Sequence, residues 1–297
     1  MGLQVKGKLA GVVTRHKARL VAKGLLQQAG VDYGEVFAPM ARIETIRLVV
    51  SLAVHFHWSL HQLDVKSAFL NGNLEEEVYV VQPQGFEVKE HINKVYRLRK
   101  SLYGFKQAPR AWNQRIDSFM SSIGLESVLL SMVFVRISHK DGKTDKLIIY
   151  LYVDDLLITG SSEELISKFK GEMLNEFEMS DLGRLNYFLG IEFTETQSGL
   201  VMYQSRYARE VLRKFEMHQS NSANTPAEVV LHLEKEPEEI SVNPTKYRKI
   251  VRSLRYLCNT RLDLCFSAGL ISRYMQNPCQ SYLNAAKRVL RYLQGTL

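Results

Sequence analysis

Residues 147–159 read LIIYLYVDDLLIT: two apolar runs, Leu147–Val153 and Leu156–Thr159, with Asp154-Asp155 between them and Gly160 after. Short apolar runs rich in β-branched and aromatic residues, and bounded by turn residues, are strands, so 146–159 is expected to form a hairpin. Asp is common in turns, and an ordinary hairpin turn is one reading of the acidic pair. The other reading is chemical. Adjacent carboxylates repel and raise one another's pKa unless a cation neutralises them, and a divalent ion suits such oxygen donors.

Upstream, WSLHQLDVKSAFLNG places Asp64 after a short strand, Ser59–Leu63, and before a stretch, Ala68–Leu74, that turns away. Alone, such an Asp reads as a helix cap. Together with Asp154 and Asp155 it supplies the third acidic ligand of a two-metal site. Two Mg2+ ions, or Mn2+ in their place, about 3.5–4 Å apart would clamp the attacking and leaving oxygens of an in-line phosphoryl transfer. Such chemistry is mainly positioning and charge stabilisation. KARLVAKG offers Lys17, Arg19 and Lys23 for a triphosphate, with Lys17 and Arg19 on one strand face.

The remaining pattern mixes strands and helices. Residues 5–22 read as extended pieces around Leu9-Ala10-Gly11. Thr45–His57, Arg110–Ile123 (with Pro109 just before it), Glu163–Phe177 and Arg206–Phe215 read as helices. Leu185–Thr194 reads as one strand that pairs with Gly199–Gln204. EKEPEEISVNP at 234–244 is acidic and proline-bearing, and reads as a linker; Tyr247–Leu297 is helical and basic. Strands and helices do not alternate as in a doubly wound sheet, so the class is α+β.

The chain has 297 residues, 45% of them hydrophobic, enough for one large core or two moderate ones. No run approaches the roughly 18 apolar residues of a membrane span, and the N-terminus lacks a signal-peptide core. A soluble, intracellular protein with no membrane partner is expected. Cys258, Cys265 and Cys279 fit neither a disulfide framework nor a zinc site and read as buried thiols. The net charge is +8, but residues 1–30, 94–115 and 246–297 together carry +22, which leaves −14 for the rest. Basic blocks in an otherwise acidic chain predict a basic surface and a polyanionic partner; a solvated basic face without a partner is the alternative.

Several ordered strings carry a resemblance: KARLVAKG, DYGEVFAPMARIETIRLVVSLA, LHQLDVKSAFLNGNLEEEVYVVQPQGF, KVYRLRKSLYGFKQAPRAW, LYVDDLLITGS, FEMSDLGRLNYFLGIE and AAKRVLRYLQGT. Over nearly its whole length the chain resembles the reverse transcriptase domain of copia-type long-terminal-repeat retrotransposons. The resemblance implies an RNA-directed DNA polymerase that extends a DNA primer on an RNA or DNA template with deoxynucleoside triphosphates. Asp64, Asp154 and Asp155 would be the catalytic carboxylates, and Val65 would lend a backbone carbonyl to a metal. Phe69 would sit under the sugar of the nucleotide and exclude a 2′-hydroxyl; core packing is its alternative role. Gln107, Ala108 and Pro109 would shape the nucleotide and template pocket, with Tyr152 and Val153 lining the approach. Tyr187, Phe188, Leu189 and Gly190 would grip the primer end, or else simply pack as a strand. Trp112 reads as core. The implied fold is a right hand of fingers, ferredoxin-like palm and helical thumb: residues 1–233 for fingers, palm and the start of the thumb, 234–244 as linker, and 245–297 as thumb and connection.

The pattern also departs from the family. The chain begins partway into the fingers and ends where a ribonuclease H domain would start. Arg252 stands where the family has glycine, Leu262 where it has proline, and GLESVLLSMVFV lacks an expected Asp. These changes read as drift in a decaying element and raise a rival reading: a fragment that folds or binds nucleic acid without catalysis. A palm-fold nucleotide cyclase is disfavoured by QAPRAW and the basic blocks. The setting implied is a cytoplasmic particle or the nucleus.

Overall fold

The computed structural model describes residues 2–7, 13–39, 42–128, 132–140, 142–197, 199–228 and 239–297. They group into two compact units, Met1–Leu185 and Asn186–Leu297. The expected turn at 9–11 and residues 234–238 of the acidic stretch 234–244 lie outside the described residues.

The first unit opens with paired strands β1 (Gly2–Gly7) and β2 (Val13–Arg19). Then come α1 (Ile43–His55), β3 (Leu60–Val65), β4 (Asn73–Val80), β5 (Tyr96–Lys100) and α2 (Ala108–Ser122). The unit closes with β6 (Glu126–Val128), β7 (Val133–Lys140), β8 (Lys143–Tyr152), β9 (Asp155–Gly160), α3 (Glu163–Glu176) and β10 (Met179–Arg184). β4 pairs with β5. A third, six-stranded antiparallel sheet has the order β10-β3-β9-β8-β7-β6. Its heart runs β3-α2-β8-β9-α3-β10 along the chain, a β-α-β-β-α-β unit. β6 and β7 extend the sheet beyond β8; the sequence reading did not anticipate them.

Alternation along the strands assigns the two faces. Leu63, Val65, Leu147, Ile149, Leu151, Leu156 and Ile158 are buried against Trp112, Ile116 and Met120 of α2 and Ile166, Phe169 and Met173 of α3. On the other face, Tyr150 and Leu157 are fully buried. There the Tyr150 hydroxyl donates to the Arg42 carbonyl at 3.2 Å, just ahead of α1, and α1 lies against β8 and β9. Coverage of both faces explains why Leu147–Tyr152 of β8 and Leu156–Ile158 of β9 are continuously apolar. Local chemistry sets the helix starts. Pro109 occupies the first turn of α2, where a missing N–H costs nothing. Ser162 caps α3 through the Leu165 N–H, with Glu163 and Glu164 in the first turn.

The second unit holds the sheet β11 (Tyr187–Phe188), β12 (Ile191–Thr196) and β13 (Gly199–Tyr203), then α4 (Ser205–Lys214), α5 (Pro244–Leu257), α6 (Cys265–Ser272) and α7 (Gln280–Gly295). The four helices share one core that includes Val211, Tyr247, Leu254, Ile271 and Leu290. Asn243 caps α5 through the N–H groups of Thr245 and Lys246. Opposite the buried stripe of α5, the residues Lys246, Arg248, Lys249, Arg252 and Arg255 are exposed.

Two expectations are corrected in this unit. Leu185–Thr194 is not one strand. Leu189 (φ 48°) and Gly190 (φ 77°) both take the left-handed region and reverse the chain, so that Tyr187 pairs with Glu192 and Phe188 with Ile191. Two successive positive φ values are the signature of a type I′ hairpin turn. The three thiols are not uniformly buried either: Cys279 is buried, Cys258 intermediate and Cys265 exposed. Cys258 follows α5 and Cys265 begins α6, so their spacing of seven does not run along one helix. Among the described residues no helix is long and apolar enough to cross a membrane.

Candidate active site

Asp64 in β3 and Asp155 in β9 are register partners, and Tyr152 in β8 pairs with Asp155 from the other side. The period of two puts all three on the face that carries Gln62 and Leu157, away from the α2–α3 core. Asp154 sits in the two-residue turn Val153-Asp154 between β8 and β9. Val153 has φ 55°, a conformation that costs a non-glycine residue on the order of 1–3 kcal/mol and suits a β-branched one least. Two hydrogen bonds hold the turn. Trp112 Nε1–H donates to the Val153 carbonyl at 2.6 Å, and the Val65 N–H donates to the Asp154 carbonyl at 2.8 Å.

Burial, then the charges of Asp154 and Asp64, raise the Asp155 pKa from the ordinary 3.8 to about 6. A hydrogen bond from Gln62 Nε2 at 3.3 Å opposes that rise less strongly. The charges acting on Asp155 are thus both negative, as at a site built for a cation. Among the described residues no three His, Cys, Asp or Glu side chains close into a metal cage. The aspartates nonetheless share one field, and their donors are hard oxygens of the kind magnesium takes.

A second group of residues adjoins the turn. The Arg19 guanidinium lies 4.9 Å over the Tyr103 ring, whose centroid is 5.1 Å from that of Phe69. Burial raises the Tyr103 phenol pKa, Arg19 pulls against that rise, and the Asp154 charge adds to it. One cation, two rings and the acidic turn therefore form a single neighbourhood. Phe69 is half-buried and packs on the core from the 3-10 turn Ala68–Asn71. Lys23 is exposed. The Lys17 backbone pairs with Gln4 in β1, and its side chain lies outside the described residues.

Gln107 is only 2% exposed. Its carbonyl accepts from Gln27 Nε2 at 3.0 Å, and its amide donates to the Asp32 carbonyl at 3.0 Å. Both ends of the side chain tie the 22–33 segment to the start of α2, next to buried Ala108 and half-buried Pro109. In the second unit Tyr187 is exposed and Phe188 buried. The Tyr256 hydroxyl donates to the Leu189 carbonyl, and Arg206 lies 5.6 Å over the Tyr187 ring while pairing with Glu192 at 3.1 Å.

Comparison with known proteins bears directly on this geometry. The family described as reverse transcriptase (RNA-dependent DNA polymerase) matches residues 4–229. The chain belongs to the copia-type reverse transcriptase family. This reverse transcriptase domain is 40% identical over 289 residues to the retrovirus-related Pol polyprotein from transposon RE1 of Arabidopsis thaliana, covering 96% of the chain and 19% of that relative. It is 39% identical over 294 residues to the corresponding polyprotein from transposon TNT 1-94 of Nicotiana tabacum, covering 96% and 22%. With the putative transposon Ty5-1 protein of Saccharomyces cerevisiae it shares 31% identity over 236 residues, covering 79% and 76%. The domain thus spans about a fifth of the length of the two plant polyproteins.

Two residues of the site, Tyr103 and Gln62, do not stand out in the sequence, and a third, Trp112, reads there only as core. Tyr103 joins Arg19 to Phe69, Gln62 holds Asp155, and the Trp112 indole reaches the turn. Tyr103 and Trp112 both stand in SLYGFKQAPRAW, and Gln62 lies two residues before Asp64 on the same strand face. Spacing alone could have flagged only Gln62.

Proposed function

We propose that this domain is an RNA-directed DNA polymerase module that adds deoxynucleotides to the 3′-end of a DNA primer on an RNA or DNA template. The observation that carries the reading is the cross-strand pairing of Asp64 with Asp155, next to Asp154 in the turn, within a chain of this family. Asp64, Asp154, Asp155 and the Val65 carbonyl would hold two Mg2+ ions, or Mn2+. When bound, the ions would activate the primer hydroxyl and neutralise the triphosphate. The chain's own residues orient and exclude. Arg19, with Lys17 and Lys23, meets the triphosphate charge. Phe69, backed by Tyr103, sits under the sugar. Gln107 and Pro109 fix the loop that borders this pocket, and Tyr152 flanks the carboxylates. In the second unit, Tyr187–Gly190 form a rigid hairpin for the primer end, and the basic side of α5 meets the phosphate backbone.

The β-α-β-β-α-β unit with its acidic hairpin supports a ferredoxin-like palm. β1, β2, β4 and β5 correspond to fingers, and α5–α7 to a thumb. The rival reading, a folded but inactive fragment, rests on departures such as Arg252 and Leu262. Both are exposed in the second unit, where neither alters a core position or the carboxylates.

Primer extension decides between the two. The expected result is Mg2+-dependent extension of a DNA primer on an RNA template, abolished in Asp154→Asn. A native chain that binds primer–template and extends nothing establishes the inactive fragment.

A further inference from the structure

The Val153-Asp154 turn presents Asp154, and leads into Asp155, from a backbone that a valine does not adopt freely. We infer that Trp112 is a positioning residue for this turn: its indole N–H, at 2.6 Å from the Val153 carbonyl, holds the strained peptide in place and so fixes where Asp154 points. The Val153 carbonyl belongs to the peptide plane before Asp154, and the Asp154 carbonyl, held by the Val65 N–H at 2.8 Å, to the plane after it. Both planes flanking Asp154 are therefore pinned, one from α2 and one from β3.

The clamp is rigid because its ring is. Trp112 is 2% exposed and meets Phe177 edge to face at 5.4 Å. An indole has one polar atom, a donor, and a buried one must find an acceptor. Here it finds the carbonyl of a turn 41 residues away in sequence. Gly72 brings α2 within reach. A Cβ there would lie 2.6 Å from the Ala111 carbonyl carbon and 2.7 Å from the Trp112 nitrogen. The α2 register thus runs from Gly72 through Trp112 to the carboxylate turn.

The catalytic consequence rests on the polymerase reading; the ordering of the turn does not. The test is Trp112→Phe, which keeps an aromatic ring and removes the donor, with and without Val153→Gly, which frees the turn from its positive-φ penalty. In the full chain three quantities are read: amide hydrogen exchange at Asp154 and Asp155, Mn2+ affinity by electron paramagnetic resonance, and primer extension. Losing one hydrogen bond at this site is expected to speed exchange at Asp154 and Asp155 and to lower Mn2+ affinity and kcat, each about tenfold. KM for the deoxynucleotide should stay within about twofold. Added to Trp112→Phe, Val153→Gly should restore at least about a third of the lost kcat and Mn2+ affinity. If Trp112→Phe lowers the unfolding temperature but leaves exchange, Mn2+ affinity and kcat unchanged, Trp112 is core alone and the inference falls. It falls too if Val153→Gly restores nothing. A native chain that extends no primer defeats the polymerase reading instead, and amide exchange at Asp154 and Asp155 then decides the clamp by itself.

Discussion

Asp64 and Asp155 face one another as cross-strand partners on the same side of the sheet. Like charges directly opposite on neighbouring strands destabilise a sheet, and this pair has Asp154 beside it in the turn. Leu63, Val65 and Leu156, on the opposite face, are fully or almost fully buried, which leaves the strands no freedom to separate the carboxylates. The packing of α2 and α3 therefore maintains a concentration of negative charge that the metal-free chain must carry.

Its first consequence is a pH dependence of stability. In the folded, metal-free chain Asp155 keeps its proton up to about pH 6, because of burial and the two neighbouring aspartates. In the unfolded chain it titrates near the ordinary carboxylate value. Between the two, the native state binds more protons than the unfolded state, so this group's contribution falls as pH rises and levels off above about 6. The full shift corresponds to about 3 kcal/mol; solvent screening of a partly exposed carboxylate reduces the expectation to about 1–2 kcal/mol. Asp155→Asn should thus be more stable than the native chain at pH 7.5 and lose most of that advantage by pH 4.5. Urea unfolding of both proteins at the two pH values, without divalent ions, checks it; an equal advantage at both would contradict the assignment.

A second consequence concerns divalent ions. A ligand that binds only the native state stabilises by RT ln(1 + [L]/Kd), about 2.7 kcal/mol at a hundred times Kd. Mg2+ or Mn2+ should therefore raise the unfolding temperature of the native chain at pH 7.5, and Ca2+ less so. Asp64→Asn and Asp154→Asn should each lose most of that increase. An equal rise in native and variant chains would assign the ions to some other part of the surface.

How much of this was legible follows physical lines. The hairpin at 147–159 and the helices α1 to α4 were readable, because apolar spacing and capping chemistry are local; Tyr247–Leu297 reads as helical without its division into α5, α6 and α7. The reversal at Leu189-Gly190 was hidden because leucine rarely takes positive φ; the Tyr256 hydroxyl, from α5, helps hold it there. Gln107 belongs to the string that suggested a substrate loop, yet its partners, Gln27 and Asp32, lie far back along the chain and make it a structural tie. The same distance in sequence concealed Trp112, whose apolar neighbours predict burial but not the acceptor its N–H finds.

Phe69 offers a test of substrate choice. Its ring packs against Tyr103, which carries Arg19 on its face, so the aromatic wall is stiff. In the proposed polymerase a stiff ring under the sugar excludes a 2′-hydroxyl by steric contact. Phe69→Ala should lower discrimination between deoxynucleotides and ribonucleotides by at least about tenfold, with a smaller loss of deoxynucleotide incorporation. Single-nucleotide incorporation with dATP and ATP on a uridine template measures it. Unchanged discrimination would leave Phe69 as core.

Gly190 tests the hairpin of the second unit. At φ 77° any side chain is strained there, and a Cβ would lie 2.4 Å from the Tyr256 hydroxyl oxygen. Gly190→Ala is therefore expected to lose the Tyr256–Leu189 hydrogen bond as well as to strain the turn, at a cost of about 2–3 kcal/mol. Tyr256→Phe removes the hydrogen bond alone and should cost about 1 kcal/mol. Because Gly190→Ala already breaks that bond, the double variant should be little worse than Gly190→Ala, so the cycle is non-additive. If the two costs add in chemical unfolding, the tyrosine and the turn act independently. The type I′ reversal would then be held by Gly190 alone, and a grip on the primer end would owe nothing to α5.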